Sequence, residues 1–305
     1  MPLKIATAQY EVCADPRRNA GQAVGAIGEA AKAGARLVHY CEGALSGYAP
    51  HDLDGYADYD WQALRDAAQA VADAARQHRV WVVIGSAHRL GDGLLPHNAV
   101  YVIDDRGRLV DRYDKRFCAG DAGDPKGELA LYSPGDHPTV FEVDGVRCGV
   151  LICHEYRYPE LYRDYKRRGV SLLLHSYHAA NVPADVYVEM QEQVGADNAR
   201  HNWGSTLPEI TMPASMVAAA ASTHLWISAA NSAAPRSCFG SFFVRADGVI
   251  TGRLERTETG VLSSRLDERE PLYESTRPWR ARAFEGVFHS GSLVDHDRSR
   301  VRTSF

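Results

Sequence analysis

The short apolar segment that ends at Cys153 constrains this chain more than any other part of the sequence. Residues 150–152 form an uninterrupted apolar run, which is typical of a fully buried strand. Residues 158–168 then have helical spacing, with Pro159 near the first turn. A cysteine between such a strand and helix is expected at the carboxyl edge of an open α/β sheet, where ligands bind. Backbone N–H groups there can stabilise a thiolate or an oxyanion, although a buried structural cysteine is the commoner case.

Two charged residues follow other predicted strands in the same way. Glu42 comes just after the apolar segment 36–40, and Lys115 ends the strand predicted over residues 108–113. A lone glutamate or lysine is usually a solvated surface group. Here, however, a glutamate, a lysine and a cysteine each stand at the end of a different strand, which predicts that they share one site.

Four motifs carry a resemblance to a known family. They are Glu42 with Gly47-Tyr48; Asp114-Lys115; Gly149 to Cys153 with Arg157-Tyr158-Pro159-Glu160; and Glu128, seven residues before Gly135. On these motifs the chain resembles the nitrilase superfamily, the carbon–nitrogen hydrolases, from Leu3 to about Leu266.

The predicted fold class is α/β. Strands alternate with helices, yet several connections read as hairpins, which predicts mixed sheets with helices outside. The resemblance implies a four-layer α-β-β-α sandwich of two six-stranded mixed β-sheets. We expect a hydrolase domain over residues 1–270 and a C-terminal arm over 271–305 that packs on a partner subunit. Further patterns predict helices over 184–200 and 214–223 and a strand over 237–244.

The resemblance implies a chemistry for each site residue. Glu42 is the general base, while Lys115 and the backbone N–H of His154 stabilise the oxyanion of a tetrahedral intermediate. Cys153 attacks an amide carbonyl, ammonia or an amine leaves, and water hydrolyses the thioester. Glu128 holds the substrate amino group or positions Lys115. This scheme requires neither a metal nor an organic cofactor.

Three departures from the family pattern concern the substrate rather than the mechanism. Cys41 and Phe117 stand where the family often has proline and histidine, and His154-Glu155 replaces the Trp-Glu of true nitrilases. Candidate substrate or oxyanion contacts are Tyr48, Phe117, His154 and His178. For Tyr48, structural packing is the alternative.

Several histidines and charged residues near Cys153 are open to other interpretations. A Cys–His pair using His154 is disfavoured because adjacent side chains diverge, and His175 with His178 lacks a third ligand for zinc. These two histidines are better interpreted as pocket wall. An ion pair between Arg157 and Glu160 is expected to hold the nucleophile loop. The turn-rich segment 201–213 is a candidate pocket lid.

Bulk composition excludes several classes of function. The net charge of −5 argues against a nucleic-acid partner, and the apolar stretches are too short for a membrane span. The sequence enters a strand pattern at Leu3, with no signal-peptide pattern before it. Six scattered cysteines suit reduced thiols, so we expect a cytoplasmic location.

The sequence therefore predicts a cysteine amidohydrolase that acts on a small amide or an N-carbamoyl compound. The alternatives are a true nitrilase and a catalytically silent binding protein on the same scaffold. Because subunits of this family commonly assemble, the resemblance implies a homodimer or larger homo-oligomer. We expect the contact to use the arm and an apolar stripe on the helix after Cys153, namely Tyr158, Leu161, Tyr162 and Tyr165.

Overall fold

The computed structural model describes residues 2–303 and contains two six-stranded sheets lying face to face. Helices cover the outer face of each sheet, so the predicted four-layer α-β-β-α sandwich is confirmed. The strands are β1 (Leu3–Gln9), β2 (Leu37–His39), β3 (Trp81–His88), β4 (His97–Ile103), β5 (Leu109–Asp114), β6 (Val140–Val143), β7 (Val146–Ile152), β8 (Leu172–Ser176), β9 (Trp226–Ala230), β10 (Phe242–Val244), β11 (Ile250–Arg253) and β12 (Gly260–Leu266).

Each sheet has a parallel centre and antiparallel edges. The first sheet has the order β12-β1-β2-β3-β4-β5, in which β1, β2 and β3 are parallel. The second has the order β11-β10-β9-β8-β7-β6, in which β7, β8 and β9 are parallel. Parallel strands end at the same edge of their sheet, so residues that follow them can share one site.

Aspartate side chains cap the two helices that cover the first sheet. Asp15 and Asp60 accept hydrogen bonds from the first turns of α1 and α2, and these two helices pack on the first sheet. α3 and α6 cover the second sheet. The α-helices are α1 (Pro16–Lys32), α2 (Trp61–His78), α3 (Pro159–Arg167), α4 (Ala184–Val194), α5 (Ala196–Ala199), α6 (Leu207–Thr223), α7 (Arg280–Phe284) and α8 (Asp297–Arg300).

Three predicted boundaries are wrong. The helix predicted over 184–200 is divided into α4 and α5 at Gly195, whose φ of +77° is not helical. The segment 201–213 is not a continuous loop, because the Thr206 side chain caps α6 and makes residues 207–213 helical. The strand predicted over 237–244 is confined to β10.

The apolar stripe on α3 faces inward, so it is not the partner-facing surface expected from the sequence. Leu161, Tyr162 and Tyr165 are buried within the chain. Tyr165 lies on β7, where a Cβ at Gly149 would be 2.6 Å from its ring. A glycine at that position is therefore required by the close approach of α3 to the sheet. Any contact between subunits through α3 has to use its polar outer face.

The segment 271–303 extends over the surface with short helices α7 and α8. Tyr273 and Phe288 are 78% and 84% exposed, while Glu274 pairs with Arg280 at 2.5 Å. Trp279 of this segment is exposed, as is Trp203, whereas Trp226 is buried in the core. Among residues 2–303, none of the helices has the length and apolarity needed to cross a bilayer.

Candidate active site

Glu42, Lys115 and Cys153 converge in one region between the two sheets. Glu42 lies beyond β2, and Lys115 directly follows β5. β5 runs in the same direction as β2 and β3 because antiparallel β4 separates it from β3, so both residues emerge at one edge. Cys153 follows β7 of the facing sheet, and its thiol interacts electrostatically with both charged groups. Glu128 joins them from a short 3₁₀ turn at Glu128–Ala130.

The Lys115 ammonium is shared between two carboxylates. Its Nζ lies 2.9 Å from Oε1 of Glu42 and 2.7 Å from Oε1 of Glu128, and all three side chains are almost completely buried. Burial alone would lower the pKa of Lys115, but the charges of Glu128 and Glu42 raise it well above its usual value. Burial alone would raise the pKa of Glu128, but Lys115 and the Ala119 N–H keep it below its usual value. The ions therefore stabilise one another, as buried charges must.

Two neutral side chains complete the hydrogen bonding of these carboxylates. The Asn98 amide donates to Oε1 of Glu42 at 2.7 Å and to Oε1 of Glu128 at 3.4 Å. The Tyr48 hydroxyl donates to Oε1 of Glu128 at 2.8 Å. Tyr48 thus holds a carboxylate, rather than leaving its hydroxyl free for substrate. Asn98 was missed by sequence reasoning, because one asparagine within a strand carries no motif signal.

Gly85 on β3 allows Glu42 to lie where it does. A Cβ at this position would be 2.2 Å from the Cys41 carbonyl oxygen and 2.7 Å from Cα of Glu42. The backbone N–H of Gly85 also donates to that carbonyl at 3.2 Å. Any larger residue would therefore displace the turn that carries the carboxylate.

The turn at Cys153 has an uncommon backbone conformation. Cys153 has φ of +43°, in the left-handed region, and begins a 3₁₀ helix (Cys153–Arg157) that the sequence did not predict. Nε2 of His175 lies 3.0 Å from the Cys153 carbonyl oxygen, and the Tyr162 hydroxyl lies 3.2 Å from Nδ1 of His175. Burial lowers the pKa of His175 to about 4, so the neutral ring donates to the carbonyl and accepts from the tyrosine. Strain of this kind is common at turns that carry a catalytic nucleophile.

The environment of Cys153 keeps its resting thiol protonated. Burial, followed by the Glu42 charge, raises the pKa of the thiol well above its usual value. Lys115 and a hydrogen bond from the backbone N–H of His178 act in the opposite direction but do not outweigh them. A buried neutral thiol needs a base at the moment of attack, and Glu42 is the carboxylate with the largest effect on it.

Glu155 connects the nucleophile turn to the lysine strand and was not predicted as a site residue. Its side chain is fully buried and accepts from the Ile152 N–H at 2.7 Å and the Arg116 N–H at 2.9 Å. The Tyr113 hydroxyl donates to both of its oxygens, at 2.7 and 2.8 Å. These contacts join the ends of β5 and β7, so Glu155 fixes the separation of Lys115 and Cys153.

The predicted ion pair between Arg157 and Glu160 is wrong. In residues 2–303, Arg157 pairs with no carboxylate, and its exposed guanidinium lies 4.8 Å from the centre of the Tyr156 ring. The buried Glu155 anchors the turn instead. An exposed ion pair would have contributed little in any case.

Three aromatic rings stand beside the nucleophile turn. The Phe117 ring stacks on Tyr158 with centroids 4.4 Å apart, and Nε2 of His154 lies 3.3 Å from the Tyr158 hydroxyl. Phe117 is 42% exposed and His154 is partly exposed, so both can meet a ligand. Burial, followed by the Lys115 charge, lowers the pKa of His154. The predicted contacts Phe117 and His154 thus form a neutral, largely apolar surface next to Cys153.

His175 and His178 are not pocket wall, as both are buried. Nε2 of His178 lies 3.0 Å from a carboxylate oxygen of Asp52, and its backbone N–H donates to Oε2 of Glu42 at 3.0 Å. Burial alone would lower the pKa of His178, but Asp52 raises it above its usual value. The position after β8 predicted that His178 lies near the site, but nothing in the sequence indicated Asp52.

Other parts of the described chain do not offer a rival centre. Clefts of about 900 and 770 Å³ open beside the 53–61 segment and beside α2, and Glu42, Lys115 and Cys153 line neither of them. Over residues 2–303, no group of three His, Cys, Asp or Glu side chains is arranged to hold a metal ion.

Comparison with known proteins agrees with this architecture. The family model described as carbon–nitrogen hydrolase matches residues 4–270. Hydrolase Rv0480c of Mycobacterium tuberculosis (strain ATCC 25618 / H37Rv) is 31% identical over 174 residues, covering 56% of this chain and 59% of the relative. Omega-amidase NIT2 of Bos taurus is 28% identical over 178 residues, covering 57% and 62%. The alignments thus span less than two thirds of these curated relatives.

A solved structure extends the likeness over most of the chain. The amidase of Nesterenkonia sp. AN1 from the nitrilase superfamily superposes with a TM-score of 0.70 at 22% identity, covering 93% of this chain and 96% of that one. At this identity the likeness concerns the fold. Because the family model matches most of the sequence, the chain belongs to the carbon–nitrogen hydrolase family.

Proposed function

We propose that this protein is a cysteine-dependent amidohydrolase that cleaves a non-peptide carbon–nitrogen bond of a small amide or N-carbamoyl compound. The observation that carries the proposal is the buried Glu42–Lys115–Glu128 group, with distances of 2.9 and 2.7 Å, beside the thiol of Cys153. Apolar residues would stabilise the fold at least as well as these three buried charges do. Their placement around a nucleophile at a strained turn favours catalysis over a silent scaffold.

In the proposed first half-reaction, the sulfur of Cys153 bonds to the amide carbonyl carbon as Glu42 takes the thiol proton. The carbonyl oxygen becomes an oxyanion, which Lys115 and the backbone N–H of His154 stabilise. When the carbonyl re-forms, the carbon–nitrogen bond breaks and the nitrogen leaves as ammonia or an amine with the proton from Glu42. The product on the enzyme is a thioester.

In the second half-reaction, Glu42 removes a proton from water as the water oxygen attacks the thioester carbon. Collapse releases a carboxylic acid and returns the proton to the sulfur. Glu128 keeps the Lys115 ammonium in place through its 2.7 Å contact. An N-carbamoyl substrate would follow the same steps, with a carbamoyl thioester as the intermediate.

The surface beside Cys153 favours a neutral acyl group. Phe117, Tyr158 and His154 form an aromatic wall with no fixed charge, and the charge of Lys115 is compensated by Glu42 and Glu128. Relatives include a 2-oxoglutaramate amidase of Bacillus subtilis, 32% identical over 131 residues and covering 42% of this chain and 46% of that protein. Its named substrate carries a carboxylate, whereas we propose an uncharged substrate here.

The test compares ammonia release by wild type and Cys153→Ala from a panel of amides, N-carbamoyl compounds and nitriles. The variant should lose at least about 1,000-fold in turnover, and mass spectrometry should detect an acyl adduct on Cys153 of the wild type. Cys118→Ala and Cys238→Ala are matched controls that should keep activity. Retained turnover in Cys153→Ala would exclude the mechanism. Release from nitriles alone would favour the true nitrilase, and no release from any compound would favour the silent scaffold.

We also propose that the protein assembles as a homodimer or larger homo-oligomer through its C-terminal arm. Tyr273, Phe288 and Leu293 are each at least 75% exposed, which is unusual for three large apolar side chains in one segment. Deleting residues 273–305 should weaken both assembly and activity, as measured by light scattering and ammonia release at the same protein concentration. A fully active monomeric truncation would contradict the coupling.

A further inference from the structure

Asp52 lies at the junction of two segments that follow strands of different sheets. The first, residues 47–53, follows Glu42, and the second, residues 177–182, follows β8. One oxygen of Asp52 lies 3.0 Å from Nε2 of His178 and accepts from the Tyr48 N–H at 2.9 Å. The other accepts from the Asn181 amide at 3.2 Å. The side chains of Asp52 and His178 are both completely buried.

Each segment delivers one hydrogen bond to a carboxylate of the candidate active site. From the first, the Tyr48 hydroxyl donates to Glu128 at 2.8 Å. From the second, the His178 backbone N–H donates to Glu42 at 3.0 Å, and the same N–H lowers the pKa of the Cys153 thiol. Asp52 thus links the two segments that supply these donors, although it contacts neither carboxylate itself.

We propose that Asp52 and His178 form a buried charged pair whose role is to position Glu42 and Glu128 against Cys153, making both of them positioning residues of the site. The pair joins segments 47–53 and 177–182, whose donors bind Glu128 and Glu42. It therefore restrains both carboxylates at once. This inference rests on the proposed amidohydrolase function. It assigns a role to two residues that the proton transfers and the oxyanion site do not use.

The charges around His178 make the pair sensitive to pH. Asp52, Tyr48 and His51 face its ring from the first segment, and Glu42 faces it from the turn after β2. Burial, followed by the charge of His178, lowers the pKa of His51 to about 4, so His51 is neutral and cannot replace His178 as the cation. When pH exceeds the raised pKa of His178, Asp52 becomes a buried carboxylate without a cationic partner. The alkaline limb of any pH profile should then report this pair.

A purely mechanical clamp between the two segments is the competing explanation. His51 offers the matched control, because its Nδ1 also joins the two segments through the Ala180 carbonyl at 3.1 Å, without contributing a charge. If the segments only need to be tied together, removing either link should have the same effect. If the charged pair positions the carboxylates, loss of Asp52 or His178 should be far more damaging.

The experiment compares Asp52→Asn, His178→Gln, the double variant and His51→Ala, each checked for folding by circular dichroism. Two rates are measured from about pH 5 to about pH 9. They are ammonia release and alkylation of Cys153 by iodoacetamide, which needs no substrate. We expect each single variant of the pair to lower kcat by about 10- to 100-fold with KM changed less than about threefold. The double variant should be no worse than the poorer single. The alkaline limb of alkylation should shift to lower pH in Asp52→Asn, because Asp52 raises the pKa of His178, and should disappear in the two variants that lack His178.

His51→Ala should keep kcat within about threefold of wild type. Equal losses in His51→Ala and Asp52→Asn, unchanged kcat in folded variants of the pair, or multiplied losses in the double variant would each overturn the inference. If Asp52→Asn does not fold, His178→Gln and the wild-type alkylation profile decide alone. If wild type releases no ammonia but the alkylation profiles shift as expected, the proposed function fails while the positioning pair stands.

Discussion

Two buried polar clusters lie between the sheets, only three residues apart along the chain at their nearest point. The strand-end cluster consists of Glu42, Lys115, Glu128, Asn98 and Tyr48. The inter-sheet cluster consists of Thr7, His39, Ser176 and Ser228. His39 bonds through Nδ1 to Ser228 at 2.8 Å and through Nε2 to Ser176 at 3.0 Å. Both clusters are buried, but one is charged and the other is neutral.

The difference follows from what surrounds each cluster. Within the strands, backbone groups are already paired in the sheets, so the inter-sheet cluster satisfies itself with hydroxyls and one imidazole. Burial lowers the pKa of His39 to about 3 and keeps it neutral. Beyond the strand ends, loop N–H groups of Ala119 and His178 are free to bind carboxylates. Charge is therefore tolerated where the loops begin, which is also where substrate can enter.

The largest effect on stability and turnover is expected when the cation of the strand-end cluster is removed. Lys115→Met would leave Glu42 and Glu128 buried without a counter-ion, so we expect a loss of about 3–5 kcal/mol in the free energy of unfolding and loss of turnover. Lys115→Arg keeps the charge but cannot place a compact ammonium at the oxyanion, so turnover should fail while most stability is kept. Urea denaturation and ammonia release measure the two effects. Near-normal rates in Lys115→Arg would show that Lys115 is not at the oxyanion.

The charged cluster was largely predictable from the sequence, whereas the neutral cluster was not. Glu42, Lys115 and Cys153 each follow an apolar run, and that position has a recognisable pattern. Thr7, His39, Ser176 and Ser228 lie inside strands and meet across the sheets, so their partners depend on register and sheet packing. Asp52 was missed for the same reason, since its contact with His178 joins positions 126 residues apart.

Local boundaries were missed where one side chain decides them. α6 begins at Leu207 because Thr206 caps it, although Pro213 within the helix argues for a break. The 3₁₀ helix at Cys153–Arg157 depends on the buried Glu155, which also bonds to Tyr113 of β5 and to the N–H of Arg116, both belonging to the facing sheet and its exit. The alternation of strands and helices in mixed sheets was predictable because it follows from the periodicity of many residues together. The two six-stranded sheets and the four layers were implied by the resemblance to the family, not by periodicity.

A smaller loss in the free energy of unfolding is expected when the pH is lowered. It should come from buried neutral histidines, including His39 of the inter-sheet cluster. Burial lowers the pKa of His39 to about 3 and of His175 to about 4, while the ordinary value is 6.5. Between these values the unfolded chain binds more protons, so the free energy of unfolding should fall by about 1.4 kcal/mol per pH unit for each histidine as pH drops below 6.5. His178 has a raised pKa, so its contribution is present at acid pH and is lost only as pH rises through that pKa.

Urea denaturation at about pH 7 and about pH 5 in wild type and His39→Leu measures this dependence. The variant lacks one of the two histidines, so its loss of stability on acidification should be about 2 kcal/mol smaller than that of wild type. Its turnover per folded molecule should be unchanged at neutral pH, because His39 contacts no residue of the strand-end cluster. An equal acid dependence in both proteins would mean that His39 is not held neutral by the fold.

The smallest expected effect isolates one hydrogen bond of the inter-sheet cluster. The Thr7 hydroxyl lies 2.7 Å from the Ser228 hydroxyl, and Thr7→Val should remove this bond while nearly preserving shape. Because Ser228 still bonds to His39, we expect a loss of only about 1 kcal/mol in the free energy of unfolding and no change in turnover. Thr139→Val is the matched control, since the Thr139 hydroxyl is buried without a hydrogen-bond partner in the part of the chain that the structure describes. That variant should be neutral or slightly stabilising, because it removes a buried polar group that gains nothing from folding. Equal losses in the two variants would mean that the bond between the sheets contributes no more than a lost threonine hydroxyl anywhere in the core.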